Sequence, residues 1–177
     1  MRDQIIKMLP EINEIGDPGL RENTINTWVA ALDRSELSLD NLKTMPFTLL
    51  VLGVNVTFIE HVRTVCRMCM ATWDILQEAY GDRNNVDRDI LIAGALLADV
   101  GKVLEFAYVG GKYIKSEHAK YLRHPFSGVG LAWEQNIPDS VLHVIAMHSK
   151  EAAGGKRTPE GIVFHHCDFI DFELVGG

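Results

Sequence analysis

The chain has 177 residues, of which 47% are hydrophobic and 23% charged, and it carries a formal net charge of −7. These proportions are typical of a globular protein with a packed core, and they exclude a disordered chain, a collagen-like chain and a disulfide-dense miniprotein. The excess of acidic over basic residues also argues against a general nucleic-acid-binding protein.

Helical periodicity dominates the first two thirds of the sequence. Residues 3–15 and 19–33 predict two amphipathic helices, separated by a turn that contains glycine and proline. Residues 55–80 predict a long helix that ends at Gly81. Residues 88–98 predict a nearly all-apolar helix, and a helix of that kind is usually buried on most sides.

The rest of the chain predicts one hairpin and further helices. Residues 107–114 place aromatic and β-branched residues on both sides of a Gly-Gly pair, which favours a small β-hairpin. The helical segments that follow, three of them with a proline near their start, are 117–123, 125–135, 138–149 and 159–172. The expected fold is all-α, a helical bundle with at most one small β-hairpin. We expect a single domain over residues 1–177, with residues 1–50 as a helical N-terminal extension of a core at 55–172.

Three features bear on location and partners. No apolar run reaches the roughly 18 residues of a membrane span, and the charged N-terminus lacks the apolar stretch of a signal peptide. An odd number of cysteines suits a reducing compartment, so we expect a cytoplasmic protein that binds neither membrane nor nucleic-acid polymer. Basic residues are in excess between Lys102 and Arg157, which would favour an anionic substrate. Scattered, solvated lysines would explain that excess equally well.

Five histidine and aspartate residues lie in five separate elements and are the candidate metal ligands. They are His61, Asp99, His124, His148 and Asp168. A carboxylate at the end of an apolar helix is costly to bury without a cation or hydrogen bonds, and such residues can converge in the interior of a helical bundle. Histidine and aspartate are common ligands of zinc, manganese and iron. Spacing alone does not separate ligands from structural residues.

The local contexts of these residues resemble the HD-domain superfamily of metal-dependent phosphohydrolases. They are Leu-Leu-x-Asp-Val-Gly-Lys at residues 96–102, His-Pro-x-x-Gly from His124, and a Gly-rich turn before Thr-Pro-Glu-Gly at 158–161. Members of that superfamily carry a His, a His-Asp doublet and a distal Asp on an α-helical core, and members with two further histidines commonly hold two metals. The resemblance covers residues 55–172 and implies a compact HD-like bundle.

The resemblance implies two metal positions that share one carboxylate. The first would use His61, Asp99 and Asp168, and the second would use Asp99 as a bridge together with His124 and His148.

The sequence departs from the superfamily pattern at one residue, because Ala98 stands where the doublet has its histidine. This departure fits a natural one-metal or asymmetric site, an engineered inactivating substitution, or an enzyme that has lost its activity. In each case the first position is expected to bind metal more weakly, and Ala98→His is expected to tighten it.

The function implied by the resemblance is hydrolysis of a small anionic substrate, a phosphoester, by a metal-activated water. Asp99 and Lys102 are the candidate catalytic residues, and one or two divalent ions of Mn, Fe, Co, Ni or Zn are the cofactors. The candidate substrate-binding residues are Lys102, Lys150, His165 and His166.

Two alternatives stay open at this point. Some relatives with the same ligands bind an iron pair and cleave C–C or C–P bonds with oxygen, and the sequence does not choose between metals. The other alternative is a non-catalytic small-molecule-binding protein with a degenerate metal site, since Ala98 is expected to impair activity. The identity of the substrate and the oligomeric state, including a homo-oligomer, stay open as well.

Overall fold

Amphipathic helices build most of the chain in this computed structural model, which describes residues 1–50 and 55–176. The helices are α1 (Arg2–Met8), α2 (Pro18–Arg34), α3 (Leu39–Thr44), α4 (Phe58–Tyr80), α5 (Arg88–Leu97), α6 (Lys102–Glu105), α7 (His124–Glu134), α8 (Asp139–Met147) and α9 (Pro159–Gly176). The strands are β1 (Phe106–Val109) and β2 (Lys112–Lys115). Short 3₁₀ turns lie at Pro10–Glu14, Gly81–Arg83, His118–Lys120 and Lys150–Ala152. The predicted all-α class with one small hairpin is confirmed for the described residues.

Side-chain caps decide where several helices begin. The Asp17 carboxylate accepts a hydrogen bond from the Leu20 backbone N–H at 2.6 Å, and so begins α2. Thr57 and Glu60 form a reciprocal capping box, which begins α4 at Phe58 rather than at the predicted residue 55.

Helix α5 lies at the centre of the bundle. Every residue from Leu91 to Leu97 is buried, as its apolar sequence predicts. It packs against α2, α4, α8 and α9, so its C-terminal end is enclosed on several sides. Ala98 and Asp99 follow directly and are buried there. The path of α5 therefore carries a carboxylate into the interior.

The β-hairpin has the register that its turn requires. Phe106 pairs with Lys115 and Val109 pairs with Lys112, which leaves Gly110 and Gly111 as a two-residue loop. Both glycines have positive φ angles, 58° and 82°. Favoured two-residue hairpin loops use such angles, and glycine adopts them without steric cost.

Some local predictions differ from the structure. The predicted helix at 3–15 is interrupted at Leu9, because Pro10 offers no N–H and begins a 3₁₀ turn instead. The predicted helix at 117–123 is a single 3₁₀ turn. The short helices α3 and α6 were not predicted, because a stretch of four to six residues carries too little periodicity.

The N-terminal helices share one hydrophobic core with the rest of the described chain. Ile5 and Trp28 belong to the same buried cluster as residues of α5 and α8. The single domain over residues 1–177 stays a prediction, and it includes residues 51–54 and 177, which lie outside the described residues. Across the described ranges, the structure has no helix with both the length and the apolar character of a membrane span.

Candidate metal centre

The structure brings the five candidate ligands together, although each lies on a different element. His61 lies on α4, Asp99 follows α5, His124 begins α7, His148 follows α8 and Asp168 lies on α9. All are buried except Asp168, which is partly exposed. They form two groups with closely spaced ligand atoms, and both groups include Asp99. The two groups contain the same residues as the two positions that the resemblance implies, and their binding of metal stays a prediction.

A close backbone contact holds Asp99 beside α7. A Cβ atom added to Gly101 would lie 2.1 Å from the His124 carbonyl oxygen and 2.8 Å from the Gly128 backbone nitrogen. Gly101 has an ordinary φ of −64°, so it is the lack of space and not the backbone angle that requires glycine. The glycine of Asp-Val-Gly-Lys, Gly101, therefore lets two segments that carry ligands touch.

The group of Asp99, His124 and His148, here called the His124 group, brings two ring nitrogens close together. The Nδ1 atom of His148 donates to the Ile145 carbonyl oxygen at 2.7 Å. The Nδ1 atom of His124 lies 2.9 Å from the Glu105 carboxylate. With Nδ1 engaged on each ring, Nε2 is the atom that each ring offers to a metal, and the two Nε2 atoms lie 3.1 Å apart. A cation placed against both nitrogens would be bound by both rings.

The spacing of the His124 group fits a transition metal. The Asp99 Oδ1 atom lies 3.3 Å from Nε2 of His124 and 3.5 Å from Nε2 of His148. Ligand atoms about 2.0–2.1 Å from a tetrahedral metal are about 3.3 Å from each other. Two imidazoles and one carboxylate are donors that zinc, manganese and iron accept.

The group of His61, Asp99 and Asp168, here called the His61 group, has comparable spacing. The His61 Nε2 atom lies 3.3 Å from Asp99 Oδ2 and 3.2 Å from Asp168 Oδ1. The Lys102 ammonium lies 2.9 Å from the same Asp99 Oδ2 atom. Ala98 contributes a buried methyl group and no ligand atom. The two groups therefore differ in one respect, because an ammonium contacts the Asp99 oxygen on the side of the His61 group.

Two buried carboxylates orient the ligand histidines, and the sequence analysis missed both. Asp171 lies 2.7 Å from Nδ1 of His61, and Glu105 accepts hydrogen bonds from the ring and the backbone N–H of His124. Such carboxylates fix the ring orientation and the tautomer of a metal-binding histidine. Asp171 follows the candidate ligand Asp168 by one helical turn, and Glu105 follows the candidate catalytic residue Lys102 by one helical turn. The sequence therefore contained a signal for each carboxylate.

The electrostatics of the His124 group favour ionised aspartate and neutral histidine. Burial alone would raise the pKa of the Asp99 carboxyl, but the Lys102 ammonium and the neighbouring histidine rings hold it well below its ordinary value. Burial lowers the pKa of His124 and outweighs the carboxylates that favour its charged form. A ligand carboxylate and a ligand imidazole are thus in the protonation states that metal binding needs.

His61 behaves differently because three carboxylates surround it. Burial lowers its pKa, but hydrogen bonds to Asp168, Asp171 and Asp99 outweigh burial and raise it to about 10. At neutral pH the His61 ring is therefore protonated and balances part of this negative charge.

The candidate ligands line a cavity of about 340 Å³. Four basic side chains contribute to its wall, namely Lys102, Lys115, Arg123 and Lys150, and so do four aromatic ones, namely Phe47, Phe106, Phe169 and Phe172. Arg123 forms ion pairs with Glu105 and Glu151, whereas Lys115 and Lys150 are exposed. The cavity thus combines cations that can attract an anion with apolar surface that can cover an uncharged part.

Two of the predicted substrate-binding residues lie elsewhere. The described residues that line the cavity include Lys102 and Lys150 but neither His165 nor His166. His165 packs against the Phe169 ring with centroids 4.4 Å apart, and His166 is exposed. Helical geometry turns His166 away from the face of α9 that carries residues 168, 169 and 172, whereas His165 shares that face but lies one turn earlier along the helix.

The remaining histidine and cysteine features are consistent with structural roles. His118 hydrogen-bonds to the Ser127 hydroxyl at 2.6 Å, and neither residue lines the cavity. The Cys66 and Cys69 side chains are buried within α4 and form no disulfide in the described structure. Burial raises the pKa of the Cys66 thiol to about 12, so it stays protonated.

The sequence of the chain is similar to that of known proteins. The chain is 27% identical over 124 residues to a dihydroneopterin 2',3'-cyclic phosphate phosphodiesterase from Methanocaldococcus jannaschii, a match that covers 66% of this chain. It covers 46% of that relative, so the chain spans about half of the relative's length. No solved structure matches significantly. The model of the HD domain family matches residues 58–172, well over half of the sequence and inclusive of all five candidate ligands, and the chain therefore belongs to the HD-domain family.

Proposed function

We propose that the chain is a metal-dependent phosphohydrolase that acts on a small anionic phosphoester. The observation that carries this proposal is the pair of His/Asp groups that share Asp99 and open onto a cavity with basic side chains. Membership of the HD-domain family supports it, and so does the phosphodiesterase activity named for the archaeal relative.

Different residues of the chain bind the metal, orient a ligand and contact the substrate. When bound at the His124 group, a divalent metal supplies a water of lowered pKa and neutralises phosphoryl charge. Asp99, His124 and His148 hold that position, and Glu105 fixes the His124 ring. Lys102 faces both Asp99 and the cavity, so its ammonium is placed to contact a phosphoryl oxygen. The exposed Lys150 adds positive charge that attracts the anion.

The cavity supports a small substrate with an apolar portion. Its volume of about 340 Å³ lies within the range of small-molecule sites and is too small for a folded polymer. The phenylalanines on its wall offer little hydrogen bonding, so we expect them to cover the part of the substrate that lacks phosphate.

Metal retention is the first test of the ligand assignment. His124→Ala and His148→Ala each delete one of three ligands, so we expect metal affinity to fall by about 100-fold or more in each variant. His165→Ala is the matched control, because His165 lies on α9 near the centre but does not line the cavity. Its metal content, measured by elemental analysis after purification without chelator, is expected to match the parent protein. Greater loss in His165→Ala would contradict the assignment.

A substrate panel tests the reaction itself. We expect protein loaded with Mn, Fe, Co, Ni or Zn to hydrolyse phosphomonoesters or cyclic phosphodiesters, with faster turnover when the ester carries an aromatic group. The assay measures released phosphate or the opened monoester. Binding of these esters without turnover under every metal would contradict the hydrolase and favour a binding protein.

An iron-dependent oxygenase is the second candidate function. The His124 group consists of two histidines and one carboxylate, which is also the ligand set of non-haem iron oxygenases. Oxygen consumption by the iron-loaded protein, measured with the same panel and with substrates that contain C–P bonds, separates the two. Consumption of oxygen that depends on substrate would favour the oxygenase, and its absence would favour the hydrolase.

A further inference from the structure

The two oxygens of Asp99 face different surroundings. Oδ1 faces the ring nitrogens of His124 and His148, at 3.3 and 3.5 Å. Oδ2 faces the ring of His61 at 3.3 Å and the Lys102 ammonium at 2.9 Å. Each oxygen therefore serves one ligand group, and the His61 group already has a permanent cation on its shared oxygen.

The Lys102 ammonium is held in place by contacts on other sides as well. It donates a hydrogen bond to the Phe47 carbonyl oxygen at 3.0 Å and lies 5.9 Å from the centroid of the Phe47 ring. Only 14% of the Lys102 side chain is exposed, so this is not a mobile surface lysine. A cation buried to this degree needs a counter-charge, and Asp99 supplies it.

Ala98, the residue before Asp99, has no side-chain atom that could bind a metal ion in competition with Lys102. Ala98 is fully buried and has no donor atom, so the His61 group has three candidate ligands, the same number as the His124 group. A metal ion there would have to share Asp99 Oδ2 with an ammonium only 2.9 Å from that oxygen, and the two cations repel each other. In the His124 group the shared Oδ1 atom has ring nitrogens as its neighbours.

We propose that Lys102 is a built-in cation at the shared oxygen of the His61 group and that the chain binds one transition metal, at Asp99, His124 and His148. This inference rests on the metal centre of the proposed function and specifies its stoichiometry. Lys102 then supplies positive charge that a second metal would supply in a two-metal site. Unlike a metal ion, its ammonium coordinates no water.

Four proteins test the inference through metal binding alone. They are the parent chain, Lys102→Met, Ala98→His and the double variant, each freed of metal with chelator and titrated with Co²⁺. We expect one ion per chain in the parent and a second, weaker ion in each single variant. The double variant should bind the second ion at least about tenfold more tightly than either single variant, because it gains a ligand and loses the competing charge.

Matched variants separate the role of Lys102 from general effects. Lys115→Met removes another lysine that lines the cavity and is expected to leave the stoichiometry at one. Lys102→Arg keeps the cation, so it is also expected to bind one ion, and it gives a result even if Lys102→Met fails to fold. Thermal unfolding of each metal-free variant monitors folding.

The outcomes distinguish this inference from the proposed function. Two equally tight Co²⁺ ions in the parent chain would overturn the inference and leave the hydrolase standing. A second ion in Lys102→Arg as tight as that in Lys102→Met would overturn it too. One ion in the parent together with no turnover on any ester would support the inference and contradict the hydrolase. A parent chain that binds no ion would overturn both.

Discussion

Asp99→Asn is expected to lose bound metal and about three orders of magnitude in turnover together. Asp99 belongs to both ligand groups, one oxygen to each, so a single substitution weakens every metal position that the described residues offer. Asparagine has nearly the same shape, but its amide is neutral and its nitrogen carries no lone pair for a metal. The change therefore removes charge and donor atoms while it preserves packing.

The same substitution is expected to destabilise the metal-free protein. Lys102 would keep a buried positive charge without the carboxylate that balances it, and His61 would lose one of its three carboxylate neighbours. The loss of one partner from a buried ion pair typically costs about 3 kcal/mol or more. Chemical denaturation of the metal-free protein and elemental analysis of the purified protein measure the two effects.

An exposed aspartate provides the control for Asp99→Asn. Asp33 lies on α2 and is exposed, so Asp33→Asn is expected to change neither metal content nor turnover beyond about twofold. Retention of a full complement of tightly bound metal by Asp99→Asn would show that Asp99 is not the shared ligand.

Gly101→Ala is expected to lower the free energy of unfolding by about 3 kcal/mol or more, and to weaken metal binding as well. The new methyl group would meet backbone atoms of His124 and Gly128, which cannot rotate away as a side chain can. The Asp99 turn and the start of α7 must then separate, which also moves Asp99 Oδ1 away from the His124 ring.

Gly130→Ala is the matched control, since it makes the same chemical change in the exposed face of α7. A Cβ atom at Gly130 meets no heavy atom of the described structure within 4 Å. Alanine there is expected to stabilise the protein by about 0.5–1 kcal/mol through higher helix propensity. Urea denaturation measures both variants. Equal effects of the two substitutions would contradict the importance of the Gly101 contact.

The sequence by itself determined the helical class, the hairpin and the identity of the candidate ligands. The apolar run of α5 predicts a buried helix, and it carries Asp99 inward as expected. Gly110 and Gly111 predict a tight loop because few other residues adopt two successive positive φ angles. These features are local, because they depend on the apolar pattern and the backbone angles of a few consecutive residues.

Only the tertiary structure decided which residues support the two ligand groups and which side chains line the cavity. Glu105 and Asp171 look like ordinary helical acids in sequence, and only packing places them against His124 and His61. His165 is a reasonable candidate in sequence and shares a helix face with Asp168 and Phe172, but it lies one turn earlier along α9 and does not line the cavity.

The assignment of Lys102 shows the same limit. Its spacing from Asp99 predicts that the two side chains are near each other, since residues three apart lie on one helical face. The sequence does not indicate which carboxylate oxygen the ammonium takes. That choice depends on the Phe47 carbonyl, 55 positions away in the chain, and on the histidines that occupy the other oxygen. Contacts between distant segments form only when the whole core packs, and so no local pattern records them.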